Sequence, residues 1–327
     1  MRSLTLSLIH ICDGFLYMAR RAGVSFAGKK VIILGTGGTS GTASYGAKRE
    51  GAREVVLVSR QGENNYENLY RHRDGEILVN TTPVGMFPRN GEAPLSLAEF
   101  PDLSGVLDVI YNPLRTRIIL DAEERGIPCS GGLAMLVRQA HGAAELFTGH
   151  EIPEERVEAA LETVSRRVEN IVLIGMAGCG KTAVGRLVSQ ALGRTFVDTD
   201  ALVEREAGMS IPQIFETQGE AAFRKQEAEA VFQASRMSGA VIATGGGAVL
   251  DPENRRALRQ NGRVFFLQRP VKDLPREGRP LSMRAPDLEA LYEERLPIYL
   301  DCCDSLIHNR GSLQEAANEI IQEYKTP

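Results

Sequence analysis

Long apolar runs are missing from this 327-residue chain, and no stretch approaches the length of a membrane span. An excess of one charge is missing too. The formal net charge of −4 excludes a global attraction for nucleic acid or anionic membranes, so any phosphate binding must come from local sites. Cysteine is sparse. Cys12, Cys129, Cys179, Cys302 and Cys303 are odd in number, scattered and without metal-site spacing, and the adjacent Cys302-Cys303 pair suits disulfide geometry poorly. A reducing cytoplasm is therefore the expected location. The opening Met1–Cys12 is too short in its apolar stretch for a secretory leader, is interrupted by His10, and has no small-residue cleavage site. It reads as an ordinary or truncated N-terminus. No internal repeat is visible. What remains, 43% hydrophobic and 24% charged residues, suits a globular protein of two domains.

The most specific feature is Gly175-Met-Ala-Gly-Cys-Gly-Lys-Thr182, a P-loop pattern without mismatch, directly after the apolar run Ile171–Ile174. A strand that enters a Gly-rich turn and opens a helix lets consecutive N–H groups converge on nucleotide phosphates. Gly178, Cys179, Gly180 and Ala183 are expected around the phosphates of ATP. Lys181 is expected to reach the β/γ-phosphates, and Thr182 to ligate Mg²⁺.

Both halves read as α/β. Lys30–Leu34, Glu54–Val58, Ile77–Val79 and Val106–Ile110 are short buried strands, with helices near 41–51, 115–125 and 132–147. A charged amphipathic helix from Glu151 to about Arg167, with Pro153 in its first turn, serves as the joint. The organisation expected is a first domain at 1–149, a helical linker at 150–168 and a second domain at 169–327. Ser312-Leu-Gln-Glu315 is a capping box announcing a last helix.

In the second half, Phe196-Val-Asp-Thr-Asp200 ends a strand with two carboxylates. They suit a Mg²⁺ shell at Asp198 and an acceptor hydroxyl at Asp200, or else a plain helix N-cap. Ala222–Glu227 lies on a helix with Arg224. Val241–Gly247 runs into Gly245, Gly246 and Gly247, which allow close approach of a ligand. Glu277–Leu281 reads as a lid carrying Arg279, and Glu294–Tyr299 carries Arg295.

These motifs, in this order over about 169–327, resemble the shikimate kinases. The resemblance implies a P-loop domain with a five-stranded parallel sheet, ATP and Mg²⁺, and phosphorylation of shikimate to shikimate 3-phosphate in aromatic amino acid (chorismate) biosynthesis. Carried over by position, Asp200 contacts the shikimate hydroxyls and Asp198 joins the Mg²⁺ shell. Arg224 and Arg295 clamp the carboxylate, Gly245–Gly247 form a backbone platform, and Arg279 reaches the transferring phosphoryl group. Two planar guanidinium forks do suit a small carboxylate. The segment from Arg269 to Arg279 is compact for a family lid, and His308-Asn-Arg310 is the candidate for the adenine side.

In the first half, Gly35-Thr-Gly-Gly-Thr-Ser-Gly41 follows a strand and departs slightly from G-x-G-x-x-G, keeping Gly35, Gly37 and Gly38. The next strand ends at Ser59-Arg60, where a basic residue suits a 2′-phosphate and hence NADP. With Asn80–Met86, Asp108–Pro113 and Gly132–Gln139, residues 13–149 resemble the Rossmann-type cofactor domain of shikimate dehydrogenase. The resemblance implies that Thr81 and Met86 line the cofactor cleft and that Gly132 and Met135 lie near the nicotinamide. It also puts Tyr111 and Gln139 on the shikimate side and matches Asp13 to the family's catalytic aspartate. The family's separate N-terminal substrate domain has no counterpart here, and no residue matches its lysine. The dehydrogenase half is therefore expected to be inactive alone. The alternatives are a bifunctional dehydrogenase/kinase, a different small-molecule P-loop kinase, or a sensor that reports NADP status. Small-molecule ligands are expected, with no nucleic acid or membrane partner; the sequence does not give the oligomeric state.

Overall fold

The computed structural model describes residues 2–274 and 288–326, and the chain divides into two compact units, Met1–Ser165 and Arg166–Pro327. The first unit opens with α1 (Arg2–Arg21), followed by β1 (Lys30–Leu34), α2 (Gly38–Arg49), β2 (Glu54–Val58), β3 (Ile77–Asn80) and β4 (Gly105–Asp108). Then come α3 (Arg117–Glu124), β5 (Cys129–Ser130), α4 (Leu133–Thr148) and α5 (Glu155–Val168). The five strands are parallel in the order β2-β1-β3-β4-β5. Chain direction across the sheet reverses at the β1/β3 pair, so its carboxyl edge is the place where doubly wound sheets receive ligands.

Strand alternation builds two cores. Val31, Ile33, Ile77, Val79 and Leu107 pack with Phe15, Leu16 and Met18 of α1, with Leu133 and Met135 of α4, and with Val157 and Leu161 of α5. On the opposite face Ile32, Leu34, Leu78 and Val106 pack with Ile118 and Ile119 of α3. Each such fully buried aliphatic side chain contributes about 1.5–3 kcal/mol relative to exposure.

The second unit contains β6 (Asn170–Ile174), α6 (Lys181–Leu192), β7 (Phe196–Asp198), α7 (Thr199–Ala207), α8 (Ile211–Thr217) and α9 (Glu220–Ser235). It continues with β8 (Val241–Ala243), α10 (Pro252–Asn261), β9 (Gly262–Gln268), α11 (Leu288–Cys302), β10 (Ser305–His308) and α12 (Leu313–Lys325). Its parallel sheet also has five strands, ordered β10-β9-β6-β8-β7, around a core of Ile171–Ile174, Val241, Ile242 and Val264–Leu267.

The first residues, for which the sequence offered no element, form a helix of 20 residues, α1, whose Cys12, Phe15, Leu16 and Met18 are buried. Two expectations need correction. The strand expected over Val106–Ile110 stops at Asp108, because the Ile110 N–H donates to the Asp108 carboxylate at 3.0 Å rather than to a neighbouring strand. The helix expected from Glu151 begins at Glu155. Pro153 precedes it, since the Ile152 N–H is taken by Glu145 Oε1 at 2.9 Å and its carbonyl by His141 Nε2 at 2.9 Å, which holds this segment extended along α4.

Candidate active site

The P-loop grows out of β6, where Ile171–Ile174 are fully buried. Gly180 has φ +106° and caps α6, and a Cβ there would come within 2.9 Å of Asn309 Nδ2. A side chain at 180 would be excluded twice, by backbone strain and by contact. Asn309 is buried and donates to the Cys179 carbonyl at 2.7 Å, so it backs the loop from the end of β10. The Cys179 thiol is itself buried, leaving its backbone as the part that can serve a phosphate. Lys181 is 7% exposed and donates to the carbonyls of Gly175 (2.8 Å) and Met176 (2.9 Å).

A cavity of about 460 Å³ opens over this loop. It is lined by Gly178, Gly180, Lys181, Thr182 and Ala183 of the loop together with Asp198, Asp200, Arg224, Gly245–Gly247 and Arg295. Residues scattered over about a third of the chain therefore meet in one place. Arg279 and the lid segment Glu277–Leu281 lie outside the described residues.

Asp198 does two things. Its Oδ1 accepts from the N–H groups of Asp200 (3.0 Å) and Ala201 (3.3 Å) and so caps α7, while its Oδ2 accepts from Thr182 Oγ1 at 2.7 Å. The N-cap and the metal-side readings of Asp198 are thus compatible. Thr182 and Asp198 put a hydroxyl and a carboxylate oxygen side by side at the cavity, a donor set suited to a hard cation such as Mg²⁺. Between the two aspartates, Thr199 is buried and its Oγ1 accepts from the Gly245 N–H at 3.0 Å. Burial and the neighbouring Asp198 charge push the Asp200 carboxyl up to about 6.

Arg224 reaches the site from α9. It ion-pairs with Glu227 at 2.6 Å and Glu220 at 3.4 Å, and a Cβ on Gly247 would lie 2.5 Å from its Nη1. Arg295, on α11, is 8% exposed, and its Nε has no hydrogen-bond partner among the described residues. A buried guanidinium with an unused donor, facing a cavity, is matched to an acceptor brought by a ligand. Tyr299, one helical turn on, donates to the Gly246 carbonyl at 2.5 Å and fixes the glycine platform.

Glu227, Thr199, Tyr299 and Asn309 were not assigned these parts from sequence. The only available signal was for Glu227: an acid three residues after an arginine on a helix, hence on the same face. Its carboxyl is raised by burial against the pull of Arg224.

In the first unit, Gly35 has φ +110°, and a Cβ there would lie 2.7 Å from Thr81 Oγ1, which donates to the Leu34 carbonyl at 2.6 Å. Gly37 caps α2 and Gly38 begins it, with open space where their side chains would be. The Ser59 N–H donates to the Asn64 carbonyl at 3.1 Å, and Arg60 is exposed beside Tyr66. A cleft of about 400 Å³ is lined by Thr81, Met86 and Tyr111. Gly132 packs behind it: its N–H donates to the Ile110 carbonyl at 2.7 Å, and a Cβ would collide with the Val109 carbonyl. Met135 is 5% exposed and its side chain belongs to the core. Asp13 ion-pairs with Arg138 at 2.8 Å and Arg20 at 3.9 Å, close to where Gln139 packs on Gly14. The structure gives Asp13 the part of an α1–α4 tie.

Comparison with known proteins agrees with this division. The family model "Shikimate kinase" matches residues 177–325, and "Shikimate 5'-dehydrogenase C-terminal domain" matches 132–162. A shikimate kinase of Symbiobacterium thermophilum is 46% identical over 165 residues, 47% of this chain and 95% of that protein. One from Nitrosomonas europaea is 41% identical over 166 residues, 48% of this chain and 78% of that protein. Among solved structures, a shikimate kinase from Acinetobacter baumannii in complex with shikimate aligns at 34% identity and TM-score 0.46, over 51% of this chain and 99% of that one. A chorismate mutase/shikimate 5-dehydrogenase fusion protein from Clostridium acetobutylicum aligns at 28% identity and TM-score 0.45, over 47% of this chain and 61% of that one. The chain thus spans less than two thirds of that dehydrogenase fusion. Carrying the P-loop, the paired aspartates and the glycine platform at this level of identity over nearly a whole relative, the chain belongs, through its second unit, to the shikimate kinase family, with a shikimate dehydrogenase-like region fused before it.

Proposed function

We propose that the second unit transfers the γ-phosphoryl group of ATP to the 3-hydroxyl of shikimate. The observation that carries this reading is the cavity itself, which a P-loop, a carboxylate, two guanidinium groups and a glycine platform line together. Arg224 and Arg295 bind the substrate carboxylate, and the Gly245–Gly247 backbone lies against the ring. Asp200 orients the attacking hydroxyl and accepts its proton, a task suited to a carboxyl tuned toward neutrality. Lys181 moves from its loop carbonyls to the β/γ-phosphates, and Arg279 adds positive charge to the transferring group. Thr182 and Asp198 are the residues that would hold Mg²⁺, which neutralises phosphate charge when bound. Phosphoryl transfer asks the protein mainly for position and electrostatics, which this set supplies.

An ADP-release assay with and without shikimate tests the reading. Release should require shikimate, and Lys181→Ala should lower kcat by roughly two or more orders of magnitude. An unchanged rate in that variant, or release stimulated by other small acids and not by shikimate, would sink it.

For the first unit, the Gly35 turn at the sheet's reversal point and the Arg60 that follows β2 support binding of NADP. The open space at Gly37 and Gly38 and the N-terminus of α2 fit a pyrophosphate. Hydride transfer needs a base and a closed substrate wall. Asp13 is engaged with two arginines and Tyr111 is 52% exposed, so we propose cofactor binding without shikimate oxidation.

A further inference from the structure

The carboxyl ends of β1, β3 and β4 lie in register, with Leu34 opposite Asn80 and Asn80 opposite Asp108. Strands buried on both faces normally carry aliphatic residues in such a row. Here an amide and a carboxylate are both 0% exposed. A buried carboxylate without compensation is among the costliest features a core can hold.

The compensation comes from the loops. Asp108 Oδ2 accepts from Thr116 Oγ1 at 2.6 Å and from Asn80 Nδ2 at 3.2 Å. Its Oδ1 accepts from the Ile110 N–H at 3.0 Å and from Asn80 Nδ2 at 3.2 Å. Asn80 in turn uses its Oδ1 to accept from the Thr82 N–H at 3.0 Å and Thr82 Oγ1 at 2.7 Å. Two of these donors line the cleft, Thr82 leading into Met86 and Ile110 leading into Tyr111, and Thr116 is the N-cap residue of α3. The groups acting on Asp108 among the described residues are Thr116, Ile110 and Asn80, all neutral, and burial pushes its acid up to about 6 against their pull.

We propose that Asp108 is a positioning residue for the dinucleotide cleft, its carboxylate fixing the spacing of the 81–86 and 109–112 loops that grip the nicotinamide end. The inference rests on the reading of the first unit as an NADP binder. It assigns Asp108 no contact with the ligand. It predicts instead that cleft geometry, and with it the grip on one end of the dinucleotide, depends on a group behind the wall.

The test compares two ligands in calorimetric titrations of the full chain. NADP⁺ engages both the Gly35–Arg60 side and the Met86–Tyr111 cleft, whereas 2′,5′-ADP lacks the nicotinamide half. Asp108→Asn keeps the size of the side chain but turns a nitrogen donor toward groups that are already donors. It should weaken NADP⁺ roughly tenfold or more while leaving 2′,5′-ADP within about twofold. Thr116→Val should act in the same direction and Thr116→Ser should restore the wild-type ratio, which covers the case of an Asp108 variant that does not fold. In the wild type the ratio of the two affinities should fall as pH drops through about 6, and that pH dependence should vanish in Asp108→Asn; the ratio cancels the titration of the shared 2′-phosphate. Equal weakening of both ligands, or no weakening of either, overturns the proposal. Wild-type binding of 2′,5′-ADP without NADP⁺ overturns it too but leaves the dinucleotide-site reading standing. Binding of neither removes both.

Discussion

Asp200 holds conflicting requirements in one side chain. In the proposed reaction it must be ionised to take a hydroxyl proton, yet burial and the nearby Asp198, Glu227 and Glu204 charges oppose ionisation, with Lys181 pulling the other way among the described residues. The folded acid at about 6 lies above its ordinary 3.8. The folded state therefore binds the proton more tightly than the unfolded chain. The stabilisation this gives is complete below about 3.8 and is lost as pH rises through about 6. Two outcomes follow for Asp200→Asn: turnover is abolished, and the unliganded second unit melts at a higher temperature than wild type at pH 7.5. For the wild type, kcat/KM should rise with an apparent midpoint near 6 and level off above it. A rate that is flat from pH 5 to 8 would take the base role away from Asp200. The candidates that share the cavity were readable in advance, because a P-loop, paired aspartates and a glycine triplet are contiguous strings. Thr199, Tyr299 and Asn309 were not, since each acts on a carbonyl or N–H far away in sequence. Nothing local marks such a partner.

Secondary elements were legible where a local rule governs them and obscure where packing does. The Ser312 capping box is a local rule, and it forms as written: Ser312 Oγ accepts from the Glu315 N–H at 3.2 Å while Glu315 Oε2 accepts from the Ser312 N–H at 2.8 Å. The helix it starts, α12, buries Ala316, Ala317, Ile320 and Tyr324 in the core of the second unit. Ser312→Ala should therefore cost that unit about 1 kcal/mol, read as a lower midpoint in urea unfolding with an unchanged slope. An unchanged midpoint would show that the cap contributes nothing to this helix. By contrast α1 carries no acidic first turn, and in sequence its opening residues read as an ordinary or truncated N-terminus without a helix. The early end of β4 was likewise invisible, since the Asp108 carboxylate that captures the Ile110 N–H sits within the strand's own apolar string.

At the scale of the molecule, two units each close a five-stranded parallel sheet over their own cores. A relative matched over 95% of its length by 47% of this chain shows that the second architecture occurs without the first. Residues 166–327 expressed alone should accordingly retain the kinase rate of the full chain within about twofold, as expected of a unit with its own core. The starting residue matters. Arg194 donates to the Glu169 carbonyl at 2.9 Å and to the Arg166 carbonyl at 2.5 Å, and Tyr324 donates to the Arg166 carbonyl at 2.6 Å. A version starting at Asn170 should melt lower than one starting at Arg166, and equal melting temperatures would rule out an anchoring part for those carbonyls. The two-unit plan was legible because a Gly-rich turn after an apolar strand occurs twice, at Gly35 and Gly175.

The Asn309 brace has a consequence in time. The ribosome makes Cys179 first, and its carbonyl meets its partner 130 residues later. At a synthesis rate of roughly 5–20 residues per second that interval lasts about 7–26 s. Throughout it the nascent chain carries every residue of the phosphate motif without the amide that holds the loop from behind. The backing of the loop is therefore acquired well after the loop itself is made.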